Sequence, residues 1–441
     1  MKEKNITTMR SVASGFSYVM DLVSDEVQDH HKKVAYLAYR LAEEMKLPPH
    51  ACRLSLIGGL MHDIGGVLAE DKTSLWDLEA NAGRLAKAGA SIARLIPLDA
   101  PIAEIIQYSQ PSGEKEPAES AEVFASAKEW LDRHAKMPEF IRKARFSWMI
   151  GQIIQLADAA TLLFEGESSA LGQAKKVTAR LEELASCRHF HPWVMDAFRR
   201  LSVEESVWLD LLYEPDAFLE FIPDNEYLTL EKMSMFSEFA SVIIDFRSPF
   251  TAMHSAGVSA SAVELARLMG MSEDECVMMK IAGNLHDIGK LKVPKEILEK
   301  PGKLTDEEYD IIKEHPYFTW KILKHIEGME QITEWAAFHH EKLNGQGYPF
   351  RLKGEHIHLG ARIMAVADIF SAITEDRPYR KGMDRERALA VLRGDAEKGA
   401  ISSGIVELLA ENYEQVNKAR EQASKAAGRR YRESLEKKNI G

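Results

Sequence analysis

The chain lacks any run of about 18 or more apolar residues, the length that a helix spanning a bilayer requires, so no membrane span is expected. Cysteine is scarce. Cys52, Cys187 and Cys276 stand singly with no CxxC spacing, which argues against a disulfide framework and reads as reduced, mostly buried thiols in a cytosolic protein. Positive charge is in deficit, with 56 Lys and Arg against 68 Asp and Glu and a formal net charge of −12. That balance argues against a protein that coats nucleic acid with a broad basic face. A small anionic ligand is still compatible with it, because a metal cluster and a few arginines make one pocket positive on an acidic surface. Strand signals are nearly absent, since few alternating β-branched runs occur. No signal peptide is expected either: after Lys2 and Lys4 the chain is broken by polar residues and Asp21 before a long apolar stretch forms.

What is present is an ordinary globular composition, 45% hydrophobic and 28% charged. At 441 residues it is too long for one core and predicts two or three units. The expectation is a cytoplasmic protein that binds neither a membrane nor a nucleic acid polymer.

Set against itself, the chain repeats. His30 and His62-Asp63 have the same mutual spacing as His254 and His286-Asp287. In the same ungapped frame Val34 matches Val258, Leu41 matches Leu265, Ala42 matches Ala266, Cys52 matches Cys276, Gly59 matches Gly283 and Ile64-Gly65 matches Ile288-Gly289. Both copies read as helical. Val258, Val263, Leu265, Ala266, Leu268 and Met269 fit one amphipathic helix. Thr305-Asp306-Glu307-Glu308 reads as a capping box opening the helix that carries His315. The predicted fold is all-α, with two tandem helical domains. They are residues 15–170 and 235–402, joined by a helical linker over 171–234 and followed by a helical tail over 403–441 that frays at its end. The Met-rich stretch around Met269, Met271, Met278 and Met279 reads as flexible core filling.

The residues that carry chemistry cluster in the second copy. His339-His340-Glu341-Lys342-Leu343-Asn344-Gly345-Gln346-Gly347-Tyr348-Pro349 joins two adjacent histidines to a glycine-rich turn, and a divalent metal is the usual reason for such a pair. Upstream stand His254, His286-Asp287-Ile288-Gly289-Lys290 and His315; downstream stands Asp368 in Ala365-Val366-Ala367-Asp368. His254, His286, His315, His339 and His340 with Asp287 and Asp368 offer the ligand count of two metals bridged by a carboxylate. Mixed nitrogen and oxygen donors suit iron or manganese better than calcium or magnesium, and zinc remains open.

These motifs, in this order over residues 235–400, resemble the HD-GYP family, metal-dependent phosphodiesterases of the HD superfamily that linearise cyclic dinucleotides. The resemblance implies Asp287 as the bridge, with His254, His286 and Asp368 on one metal and His315, His339 and His340 on the other. It implies that a bridging hydroxide attacks the phosphodiester. Lys290, one helical turn past the HD pair, would stabilise the pentavalent phosphorane and protonate the leaving ribose oxygen. Gly347, Tyr348 and Pro349 would shape the pocket rim and position substrate. Arg377 and Arg380, in Asp376-Arg377-Pro378-Tyr379-Arg380-Lys381, would grip the dinucleotide phosphates. Phe250 stands where some members carry a glutamate that recruits a third metal, so two metals are expected. Thr319 stands where the family often has glycine, which would narrow the pocket near the second metal.

The expected reaction is hydrolysis of cyclic di-GMP to linear pGpG and GMP. A preference for 3',3'-cyclic GMP-AMP, a non-catalytic sensor or adaptor, and a broad nucleotide phosphohydrolase are the alternatives. In the first copy His30, His62, Asp63 and Asp158 match a one-metal set. Gly66 replaces the lysine there, and Ile106-Gln107-Tyr108-Ser109-Gln110 replaces the histidine pair. A degenerate scaffold or sensor, a structural or regulatory metal site, and a phosphomonoesterase all remain open for it. So does a homodimer or a signalling partner engaged through this domain. His189, His191, His325, His356 and His358 have no partner visible in the sequence.

Overall fold

The computed structural model describes residues 5–23, 29–68, 86–94, 101–109, 139–164, 169–186, 190–247, 249–300, 302–376 and 381–438. Cys187 and His189 lie outside them. The fold is all-α, as expected, with one addition: Asn5–Thr8 pairs antiparallel with Tyr227–Thr229. Short, non-alternating segments so far apart in the chain carry no sequence signature of pairing. Among the described residues no helix is long and apolar enough to cross a membrane.

The chain divides into two compact units, residues 16–224 and residues 1–15 with 225–441. At the centre of the latter is the helix Pro249–Leu268, which packs against Leu230–Arg247, Glu273–Leu285, Leu359–Thr374 and Tyr413–Lys438. Its Val258, Ala262, Leu265 and Ala266 are completely buried, and each large aliphatic side chain so buried stabilises the unit by roughly 1.5–3 kcal/mol. Met269, grouped with that face in the sequence, is 39% exposed, and of Met269, Met271, Met278 and Met279 the last alone is buried. The terminal helix docks on the central one, where Ser424 Oγ donates to the Met253 carbonyl (2.8 Å). Two capping boxes, Ser272 with Glu275 and Thr305 with Glu308, fix the starts of Glu273–Leu285 and Asp306–Lys313.

The N-terminal unit packs His30–Glu44 against Pro49–Met61 and Glu139–Leu162. The helices Ala170–Ser186, Pro192–Leu201 and Glu205–Tyr213 pack into the same unit, with Trp208 and Phe198 buried.

The repeat seen in the sequence reappears as repeated geometry. Cys52 Sγ donates to the Leu47 carbonyl (3.5 Å) and Cys276 Sγ to the Met271 carbonyl (3.9 Å), each five residues back. A Cβ on Gly59 would lie 2.8 Å from Ala35 Cα, and one on Gly283 would lie 2.5 Å from Ser259 Cα. In both copies, then, only glycine lets the two helices that bring the histidines together approach this closely.

Candidate metal centre

Three histidines of the C-terminal unit stand just past helix ends. His286 follows Glu273–Leu285, His315 follows Asp306–Lys313 and His339 follows Glu330–Ala337. The last turn of a helix has carbonyls with no intrahelical donor. Each histidine takes the one three residues back: Nδ1 of His286 donates to Gly283 O (2.8 Å), that of His315 to Ile312 O (2.7 Å) and that of His339 to Ala336 O (2.6 Å). A carbonyl only accepts, so the proton is on Nδ1 and the Nε2 lone pair points inward, the tautomer a metal ligand needs. Here the sequence reading is corrected. The capping box at Thr305 is present, but its helix ends at Lys313 and His315 opens the next one, His315–Leu323.

The seven predicted ligands converge. The ligand atoms of His254, His286 and Asp287 lie within 4.8 Å of one another, as do those of His315, His339 and His340. Asp287 links the clusters, with Oδ2 3.3 Å from His286 Nε2 and Oδ1 3.3 Å from His315 Nε2. Asp368 links them again, with Oδ1 3.0 Å from His254 Nε2 and Oδ2 3.8 Å from His340 Nδ1. Nε2 of His315 and His339 are 3.4 Å apart. Nε2 of His286 is buried and has no hydrogen-bond partner among the described residues, a lone pair aimed at nothing but the site. This donor set fits two divalent cations sharing Asp287. Lys290 Nζ donates to Asp287 Oδ2 (2.6 Å), so the ammonium sits against this carboxylate.

Burial pushes His315 from 6.5 to about 3 and His339 to about 4, and both are neutral at physiological pH. Burial also opposes charge on His254, but the Asp368 and Glu375 carboxylates override it and raise this group to about 9. Asp287 is held well below the usual carboxylate range; burial works against this, and His286 and Lys290 outweigh it. The linkage signs differ. Neutral His315 and His339 contribute stability that is present above 6.5 and lost as pH falls through 4 and 3; charged His254 contributes stability that is full below 6.5 and lost as pH rises through 9. Thermal melts of the chelator-treated chain are expected to peak near pH 6.5 and decline on both sides. A melting temperature that does not fall between about pH 6.5 and 4 would contradict the buried neutral pair.

The glycine loop closes the other side. Glu341, 3% exposed, accepts the backbone N–H groups of Phe350 (2.7 Å) and Leu352 (2.9 Å) through its two carboxylate oxygens. Gly345 has φ +77°, and a Cβ on Gly347 would lie 2.3 Å from Lys342 N and 2.5 Å from Glu341 Cα. Tyr348, which precedes Pro349 through a cis peptide, packs its ring 4.9 Å from that of His340, at the site's edge. Gly347→Ala is expected to displace the loop from Glu341 and to cost about 2 kcal/mol or more, read from the denaturation midpoint. An unchanged midpoint would mean the loop yields freely. Thr319 faces the HD turn, donating to His286 O (2.8 Å) and accepting from Gly289 N (3.1 Å), and is fully buried. Arg377 and Arg380 lie outside the described residues, and nothing is described of the Phe250 side chain.

The N-terminal unit brings His30, His62 and Asp63 together in the same way. His62 Nδ1 donates to Gly59 O (2.8 Å), and its Nε2 lies 3.1 Å from Asp63 Oδ2 and 3.4 Å from Asp158 Oδ1. His30 Nε2 lies 3.0 Å from Asp158 Oδ1, and its Nδ1 is 3.3 Å from Thr161 Oγ1. Burial opposes charge on His62, but Asp63 and Asp158 hold it well above its ordinary value. A third buried imidazole, His31, packs 5.4 Å from the His62 ring and is pushed by burial to about 3. A Cβ on Gly66 would meet nothing within 4 Å, so the place of the lysine is open.

Glu341, Glu375, Thr161 and His31 were not singled out from the sequence. A charged or polar residue gives no sign of burial in a single chain. Only His31, adjacent to His30, repeats the paired-histidine signal already used for His339-His340.

This constellation defines a tandem HD-domain protein. The HD domain description matches residues 238–401 and, separately, residues 27–159. The chain therefore carries two HD domains, one following the other. It is 27% identical to 3'3'-cGAMP-specific phosphodiesterase 1 of Vibrio cholerae over 94% of this chain and 95% of that one. It is 42% identical to a cyclic di-GMP phosphodiesterase of Pseudomonas aeruginosa over 32% of this chain and 34% of that one. The fold matches the crystal structure of a cyclic GMP-AMP specific phosphodiesterase from V. cholerae with a TM-score of 0.58 and 21% identity, covering 92% of this chain and 98% of that one.

Proposed function

We propose that this chain is a metal-dependent phosphodiesterase that hydrolyses cyclic dinucleotides in its C-terminal HD-GYP domain. The observation that carries the reading is Asp287, buried between two histidine clusters with one carboxylate oxygen toward each. His254, His286 and Asp368 would hold one metal and His315, His339 and His340 the other, with Asp287 between the two groups. The donor set favours iron or manganese. Such a pair supplies Lewis acidity toward the phosphoryl oxygens and a water activated at neutral pH. The water oxygen bonds to phosphorus as the bond to one ribose oxygen breaks and that oxygen takes a proton. Lys290, standing against the bridging carboxylate, offsets charge on the phosphoryl group and delivers that proton. Tyr348 borders the pocket, and Gly347 and Pro349 hold it there. Arg377 and Arg380 are carried over from the sequence motif alone as candidates to grip the dinucleotide phosphates.

3',3'-cyclic GMP-AMP is the leading substrate, because the V. cholerae relative that matches nearly the whole chain, both HD domains included, is named for it. Cyclic di-GMP, favoured by the sequence motifs, is supported by the higher identity to the P. aeruginosa enzyme within the C-terminal part. Side-by-side hydrolysis by manganese-loaded chain under anaerobic conditions decides between them. Tight binding of either dinucleotide without turnover in a fully metallated sample would instead favour the sensor.

The N-terminal domain would hold one further metal through His30, His62, Asp63 and Asp158. Elemental analysis of the loaded chain is expected to give three metals, falling to two in His62→Ala with hydrolysis retained. A stoichiometry of two in both proteins would reduce this domain to a scaffold, or to a docking surface for a second copy or a signalling protein.

A further inference from the structure

Four of the five ring nitrogens that face the C-terminal metal centre are imidazole Nε2 atoms, and three of these rings are steered by backbone carbonyls at helix ends. His254 is not. It sits inside the helix Pro249–Leu268, where the carbonyls of preceding turns are engaged by helical N–H groups. Its Nδ1 faces Glu375 Oε2 at 3.4 Å, at the long edge of a hydrogen bond, and has no other partner among the described residues. Glu375 lies just beyond Leu359–Thr374, the helix that carries Asp368, and is 8% exposed. Its Oε1 is likewise buried without a partner among the described residues.

A carboxylate this deeply buried is costly unless something uses its charge. One group acted on by that charge is Arg420 of the terminal helix, 6% exposed, whose Nε and Nη2 donate to Asn417 Oδ1 (3.0 and 2.9 Å). The other is His254. The N-terminal copy offers a comparison within the same chain, since there the outer nitrogen of His30 meets the neutral hydroxyl of Thr161 at 3.3 Å.

We propose that Glu375 is a positioning residue of the C-terminal centre: its carboxylate holds the outer N–H of His254, so that Nε2 faces the metal shared with His286 and Asp368. A histidine ligand backed by a carboxylate is fixed in ring orientation and is a stronger donor than one backed by a hydroxyl. The two domains therefore differ in the strength of their first ligand, the catalytic one having the charged backing. This inference rests on the two-metal reading above.

The test is a manganese titration of the full chain, following free Mn(II) by electron paramagnetic resonance, for wild type, Glu375→Ala, Glu375→Gln and His254→Ala. We expect Glu375→Ala to weaken one site by about 10–100-fold, the same site that His254→Ala abolishes, with the others unchanged. Glu375→Gln keeps an acceptor oxygen without the charge and is expected to lose less. If Glu375 served only as a counter-ion to Arg420, both variants would lower the melting temperature and leave every Mn(II) affinity intact; that result, or equal weakening of all sites, overturns the proposal. Should Glu375→Ala fail to fold, Glu375→Gln decides alone. A severalfold loss at the His254 site supports the proposal, and no loss at that site overturns it. A wild-type chain that binds no Mn(II) pair overturns the metal reading itself, an outcome distinct from variants that behave as wild type does.

Discussion

Asp287→Asn is expected to lower cyclic dinucleotide hydrolysis by about a thousandfold or more and to reduce the metal content of the C-terminal unit. The side chain is almost the same size, so packing survives. What changes is one of two equivalent oxygens. The carboxylate sets Oδ2 3.3 Å from His286 Nε2 and Oδ1 3.3 Å from His315 Nε2, with a negative charge between the clusters. The amide can turn an oxygen to only one of them and presents an NH2 to the other, repelling a cation there. It also strips Lys290 of the partner 2.6 Å away. Metal content by mass spectrometry and turnover by chromatography should therefore fall together. Full turnover in Asp287→Asn would remove the shared carboxylate from the mechanism.

Lys290→Met should separate what Asp287→Asn confounds. Lysine has no lone pair to give a metal while protonated, and methionine fills a similar volume, so metal content is expected to be unchanged. Turnover is expected to fall by about 100-fold, chiefly in kcat, because the ammonium acts on charge that develops as the phosphodiester opens. With Lys290 gone, Asp287 loses one of the groups that hold its carboxyl low, though His286 remains beside it. Unchanged kcat in a fully metallated Lys290→Met would assign the ammonium to stabilising Asp287 alone.

Much of this was legible beforehand because the chemistry resides in residue types with few other uses, at spacings repeated without gaps. Five histidines and two aspartates in the second copy were named from the sequence, and the structure brings all seven together. The helical class followed from apolar periodicity and capping boxes. What was hidden came from contacts remote in sequence. Glu375 meets His254, Thr161 meets His30, and Asn5–Thr8 pairs with Tyr227–Thr229; none of these leaves a local pattern. The break between Lys313 and His315 did have a local signal that was passed over, since Pro316 disfavours helix at the residue before it and opens the next helix. Thr319 looked like an intrusion into the pocket, yet it fastens the HD turn to the neighbouring helix.

The backbone carbonyls behind His62, His286, His315 and His339 carry a consequence for how such proteins diverge. A carbonyl belongs to every residue type, so no single substitution deletes it, and ring orientation at these positions is inherited with the helix end itself. Duplicated copies can drift widely in side chains and still keep four imidazoles correctly turned. His254 and His30, whose outer nitrogens meet side chains instead, are where drift registers. There the copies have already parted, one backed by glutamate and the other by threonine.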